Sequence, residues 1–148
     1  MSSKRLEGVM PALITPYKPD GSVNVDMIRR LVAMQIDEGS NGFFVCGSTG
    51  EGLFLTPDER KLVAKTVIDE VAGQVPVMVH VGAVCTDVSV ELAKHARQVG
   101  AAAVSSVPPI YYKVGLPGMM QHIRRIAQAA EIPTYYYHIP VLIDFALG

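Results

Sequence analysis

Five short apolar runs, beginning near Val9, Gly42, Val77, Ala102 and Thr134, recur along the chain. Their spacing is roughly thirty residues, the size of one β-strand with its following helix. Each of the first four is followed by a segment whose apolar residues fall at helical spacing. This alternation leaves few folds. Strands joined by helices run parallel, and the helices then cover the sheet. Two closures satisfy it, a doubly wound open sheet and a (β/α)8 barrel. The chain has 148 residues, enough for one domain with a sizeable core, whereas a complete barrel typically takes about 250.

Residues 8–15 form a continuous apolar run closed by Pro16 and read as the first strand, with Pro11 suggesting a bulge. A helix follows from a cap at Asn24 or Asp26 to about Glu38. It carries Met27, Leu31, Met34 and Ile28, Val32, Ile36 on one face, and Gly39 ends it. The second strand, residues 42–46, precedes a helix opened by Thr56 and Glu59 as a capping box, with Pro57 at its first position. That helix runs to about Ala72, with Leu62, Val63, Thr66, Val67 and Val71 inward. The third strand is residues 75–82, and Thr86 or Asp87 caps a helix through Val99. Residues 102–107 are the fourth strand and lead into Pro108-Pro109-Ile110-Tyr111-Tyr112, a stiff aromatic loop. Pro117 or Gly118 opens a helix to about Ala130, with Met119, Met120, Ile123, Ile126 and Ala127 inward, and residues 132–138 form the fifth strand.

Between the second strand and its helix stands Gly47-Ser48-Thr49-Gly50-Glu51-Gly52. Parallel α/β folds place their chemistry in such loops, at the C-terminal ends of strands. The glycines allow a close backbone approach, and Ser48 and Thr49 offer hydroxyls and N–H groups to a carboxylate or another small oxyanion. No lysine follows, so a phosphate-binding P-loop is not indicated. The same residues serve equally as a strand-to-helix turn that needs glycine for its shape.

Bulk properties narrow the function. Hydrophobic content is 49% and the formal net charge is −1, which indicates neither disorder nor a polyanion partner. No basic cluster with interleaved aromatics points to nucleic acid. Cys46 and Cys85 form no CxxC and no zinc spacing, and read as small buried or site-lining thiols of a reducing compartment. His95, His122 and His138 have no partners at ligand spacing, so no metal is expected. No apolar run has bilayer length and the N-terminus has no signal-peptide core, so the expected location is cytoplasmic, with no membrane partner.

Residues 8–16, the loop 47–51, His80-Val81-Gly82, Pro109-Ile110-Tyr111-Tyr112 and Tyr137-His138-Ile139-Pro140 occur together over essentially the whole chain. In this combination the sequence resembles the pyruvate-dependent class I aldolases, the family of N-acetylneuraminate lyase and dihydrodipicolinate synthase. The resemblance implies a (β/α)8 barrel, with residues 1–148 as the N-terminal part of a single barrel domain, about its first five strands and four helices. It implies a Schiff-base-forming lyase that cleaves or condenses a 2-keto acid such as N-acetylneuraminate with pyruvate. It further implies a homo-oligomer, usually a tetramer, working without a cofactor.

The pattern leans toward N-acetylneuraminate lyase, through Ser48-Thr49 and His80-Val81-Gly82. Leu142 stands where the synthase places an arginine for its dicarboxylic substrate, and leucine cannot make that bidentate contact. Ile143-Asp144 departs from the family's Ser or Thr followed by Gly. Two other readings stand beside the lyase. One is a synthase-like condensation. The other is a half-barrel without catalysis, since the family's Schiff-base lysine lies on a sixth strand and the chain ends at Gly148. An open half-barrel leaves unpaired edges, so self-association is expected of it.

Residue by residue, the resemblance assigns Gly47, Ser48 and Thr49 to the pyruvate carboxylate. It assigns Tyr137 to a proton shuttle at the reacting carbon or its oxygen, linked through Thr49 to Tyr111. Leu142 is placed among the substrate-binding residues. Plainer readings hold for the neighbours: Tyr135 and Tyr136 as packing aromatics, Glu51 as a stabiliser of the next helix N-terminus, and His80 as a satisfied core residue. Lys61, Lys65 and Lys94 fall on solvated helix faces and Lys113 in a loop, so none is expected as the nucleophile.

Overall fold

The computed structural model describes residues 6–112 and 114–139. Leu142, Ile143, Asp144 and Lys113 lie outside these residues. The described elements are α1 (Val25–Asp37), β1 (Phe43–Val45), α2 (Pro57–Val71), β2 (Val77–His80), α3 (Thr86–Val99), β3 (Ala103–Ser106), α4 (Leu116–Ala130) and β4 (Thr134–Tyr136). All strands are parallel and lie side by side in chain order. Each helix packs against the next, α1 on α2, α2 on α3 and α3 on α4. A doubly wound sheet reverses its strand order and carries helices on both faces. The described sheet does neither, and its unbroken strand order is that of a segment of a barrel. No described helix is long and apolar enough to cross a membrane.

Strand alternation gives the sheet two faces. Phe43, Val45, Val77, Val79 and Val104 are buried against the helices, where Ile28, Val32, Val63, Val67, Leu92 and Ile126 meet them in one core. Phe44, Met78, His80 and Tyr135 alternate to the inner face. Tyr136 belongs to the helix side, its hydroxyl reaching the Met119 Sδ at 3.6 Å.

The expected first strand is not one. Ala12 makes an isolated parallel bridge to Phe44. The Phe44 N–H donates to the Pro11 carbonyl at 3.0 Å and the Leu13 N–H to the Phe44 carbonyl at 2.9 Å. The segment therefore runs along the outer edge of β1, but Pro11 has no N–H to extend a ladder. The last strand likewise shortens from residues 132–138 to Thr134–Tyr136.

Local chemistry explains most helix starts. The Asn24 side chain accepts from the Met27 N–H and caps α1. Thr56 and Glu59 form the expected reciprocal box, with Pro57 at the first position of α2. Thr56→Ala is expected to cost about 1 kcal/mol, read as a lowered midpoint in denaturant unfolding. An unchanged midpoint would show that the first turn of α2 frays without consequence. α3 departs from expectation. Its cap position is Cys85, which makes no side-chain cap bond, while the Thr86 hydroxyl instead meets the His122 Nδ1 at 2.9 Å. α4 starts at Leu116 after Gly115, ahead of Pro117 and Gly118. Cys85 is exposed rather than buried. Met27, Met34, Leu62 and Met120 are exposed as well, because they flank the buried stripes rather than occupy them, and on α4 His122 is buried instead of Met120.

Candidate active site

The site begins where β1 ends. Cys46 takes a left-handed conformation at φ 59 and turns the chain off the sheet, and Glu51 does the same at φ 53. A non-glycine residue held there costs of order 1 kcal/mol or more and stays only where its surroundings dictate it. Here the surroundings are explicit. The Gly52 N–H donates to the Gly47 carbonyl at 3.1 Å, and the Thr15 hydroxyl donates to the Gly50 carbonyl at 2.7 Å. A Cβ on Gly52 would lie 1.8 Å from the Cys46 carbonyl oxygen, and one on Gly47 would lie 2.6 Å from the Phe44 ring. The loop is therefore folded onto the end of β1, at distances only glycine permits.

A cleft of about 590 Å³ opens beside this loop. Gly47, Ser48 and Glu51 form one side, with Phe54 beyond them. His80 from the end of β2, Val107 and Ile110 after β3, and Ile139 after β4 form the rest. Every contribution comes from a C-terminal strand end or the loop after it, because parallel strands deliver those ends to one face. The lining is mostly apolar with a few polar groups, the usual make-up of a small-molecule site.

The expected residues are distributed unevenly around it. Gly47 and Ser48 line the cleft. The Tyr137 N–H donates to the Ser106 carbonyl at 2.9 Å. Its ring stands edge-on to Phe44 with centroids 5.9 Å apart, and Phe44 stands edge-on to His80 at 6.3 Å. Since Phe44 also underlies Gly47, Tyr137 shares the inner face with the loop. Thr49 is exposed and lies outside the cleft lining. Tyr111 is 88% exposed, sits at φ 78 and packs edge-on against Tyr112 at 5.0 Å. No hydrogen bond joins Thr49, Tyr111 and Tyr137 among the described residues.

A charge lies buried beside the cleft. Arg60 of α2 is 4% exposed. Its Nη2 donates to the His80 carbonyl at 2.7 Å and its Nη1 to the Gly82 carbonyl at 2.9 Å. Burial lowers its pKa, yet a guanidinium stays charged in proteins. Burial first, and the Arg60 charge second, push His80 down to about 3, so its imidazole is neutral. The Val107 N–H donates to the Nε2 at 3.3 Å, which assigns the ring proton to Nδ1. His80 is thus both the satisfied interior residue the sequence suggests and a wall of the cleft. Burial lifts the Cys46 thiol to about 11, which leaves no thiolate at neutral pH. Lys61 pairs with Glu91 and Lys65 with Asp69, and no described lysine lines the cleft. Arg60 is absent from the sequence-derived candidates, although a signal exists. Positions 60, 63, 64, 67 and 71 form the buried stripe of α2, and Arg60 is its charged member.

Comparison with known proteins places this geometry in context. The family described as the dihydrodipicolinate synthetase family matches residues 5–147. The 4-hydroxy-tetrahydrodipicolinate synthase of Methylibium petroleiphilum is 40% identical over 137 residues, which are 93% of this chain and 47% of the relative. The N-acetylneuraminate lyase of Citrobacter koseri is 40% identical over 141 residues, 95% of this chain and 48% of the relative. Among solved structures, YagE is similar, a prophage protein of the dihydrodipicolinic acid synthase family from E. coli K12, in complex with pyruvate. It matches with a TM-score of 0.90 and 30% identity over 94% of this chain and 47% of that one. The chain spans about half the length of the curated relatives it matches, and its strands and helices are those of about half a barrel.

Proposed function

This chain belongs to the dihydrodipicolinate synthetase family, and from that premise we propose that it supplies the carboxylate-holding loop and the proton-handling tyrosine of a pyruvate-dependent carbon–carbon lyase. The observation that carries the reading is the position of loop 47–52 on the same sheet face as Tyr137, with the Phe44 ring between them. Ser48 offers a hydroxyl and an N–H to a small carboxylate at the cleft wall. The pyruvate bound to YagE supports that ligand class. Val107, Ile110 and Phe54 give the cleft apolar walls beside these polar groups. The Tyr137 hydroxyl transfers a proton at the reacting carbon or its oxygen.

The amine that forms the Schiff base is not one of the described lysines. On this reading a lysine of a sixth strand completes the site. In the cleaving direction the iminium draws in the electrons of the breaking carbon–carbon bond and becomes an enamine. Tyr137, acting as the phenolate, takes the proton of the substrate hydroxyl that becomes the product aldehyde and then returns it to the enamine carbon. Tyr111, exposed and clear of Tyr137 within one chain, fits a role in a neighbouring subunit's site of a homo-oligomer.

Ser48-Thr49 and His80-Val81-Gly82 favour a sialic-acid-type substrate. The equal 40% identity to a synthase and to a lyase supports synthase-like condensation as the second reading. Pyruvate and borohydride, added to the complete protein, are expected to leave a reduced pyruvate adduct on one lysine, seen by intact mass. A protein that stays unmodified is not an aldolase of this kind. Pyruvate release from N-acetylneuraminate, compared with pyruvate consumption alongside the synthase's aldehyde, then separates the two substrate classes.

A further inference from the structure

We infer that Arg60 is a positioning residue of the cleft: its guanidinium takes over the sheet ladder where β1 departs, and so fixes the end of β2 that carries the His80 wall. The inference rests on the cleft being the ligand site. In a parallel sheet the carbonyls of a strand point alternately to its two neighbours. The Phe43 N–H donates to the Pro76 carbonyl at 3.0 Å, so the carbonyls of Pro76, Met78, His80 and Gly82 all face the β1 side. The opposite set faces β3, as the Ala102 N–H to the Val77 carbonyl shows.

β1 cannot serve the last two carbonyls of its set. At Cys46 the chain turns away into the loop 47–52, and the N–H groups that would continue the ladder leave with it. The carbonyls of His80 and Gly82 would then be buried without partners, which native structures avoid. Arg60 takes both, one with each terminal nitrogen, at 2.7 and 2.9 Å. No carboxylate among the described residues lies within ion-pair distance of it, and its Nε has no partner. A buried cation carries a desolvation cost that an apolar residue on the α2 stripe would not, but an apolar residue would leave both carbonyls unpaired. The geometry of Arg60 answers that need. The loop can peel off the sheet to form the cleft only if something replaces the strand it abandons.

Arg60→Met keeps most of the apolar stem and removes the donors. Arg60→Lys keeps a charge and part of the donor set. In the complete protein, amide hydrogen exchange at Val81, whose N–H donates to the Ser105 carbonyl, is expected to speed up by about tenfold or more in Arg60→Met, with the amides of Val67 and Ile126 unchanged. Pyruvate affinity, from amide shift titration, is expected to fall by about tenfold in the same variant and to recover in part with Arg60→Lys. Exchange at Val81 matching wild type in a folded Arg60→Met protein would overturn the inference. So would faster exchange with pyruvate affinity intact, which is the outcome of a purely structural role. If Arg60→Met does not fold, Arg60→Lys is judged by the same two readouts. A wild-type protein that binds no pyruvate removes the reading of the cleft itself. The exchange profile, which needs no ligand, tells that failure apart from failure at Arg60.

Discussion

Gly52→Ala is expected to abolish pyruvate binding at the cleft and to lower stability by about 3 kcal/mol, the upper end of ordinary overpacking. The new Cβ would stand 1.8 Å from the Cys46 carbonyl oxygen and 2.6 Å from its carbon. A flexible side chain moves aside from such a clash, but here the obstacle is backbone. Cys46 has no freedom to give, because it already holds φ 59 at the end of β1 and the chain on its N-terminal side is paired with β2. Relief must come from the loop, which would release the Gly52 N–H from the Gly47 carbonyl and carry Ser48 off the cleft wall. Thermal melting and a pyruvate titration on the same sample check both parts. Unchanged melting together with unchanged affinity would remove the loop from the site.

Tyr137→Phe is expected to act on rate rather than on fold. Phenylalanine keeps the ring that meets Phe44 edge-on at 5.9 Å, and the backbone N–H still donates to the Ser106 carbonyl. What disappears is the hydroxyl, and with it a proton transfer typically worth about 10²–10⁴ in rate. Steady-state turnover of the complete protein should fall by about that factor while its melting temperature stays put. If Tyr137 also bound the substrate equally in ground and transition states, KM would rise in its place. Turnover within a few-fold of wild type would assign the proton to another group.

Much of the scaffold is legible in the residues themselves. The recurrence of apolar run and helix dictates parallel strands, and parallel strands put every loop after a strand on one face. Asn24, Thr56 and Glu59 mark helix starts because their side chains satisfy N–H groups only a few residues away. The glycines of the loop 47–52 announce a close approach without saying to what. Where sequence reasoning errs, the deciding partner is remote or missing. Residues 8–15 look like a strand by composition, but at the edge of β1, with Pro11 lacking a donor, they pair only in part. Cys85 and Met120 look interior by type, but Cys85 stands at the cap of α3 and Met120 on the flank of α4, and both are exposed.

By itself, then, the sequence determined the alternating architecture, the helix caps and the loop that bears the candidate site, because each depends on periodicity or on neighbours a few residues apart. Only the tertiary structure decided that the strands lie in unbroken chain order, the arrangement of a barrel segment rather than of a doubly wound sheet. It also separated the tyrosines, setting Tyr137 beside Phe44 on the inner face and leaving Tyr111 exposed. The role of Arg60 is the clearest case. Position 60 lies 20 and 22 residues from the carbonyls it holds. Their need for a partner arises only once β1 has turned away at Cys46, a fact of three elements in space that no local pattern contains.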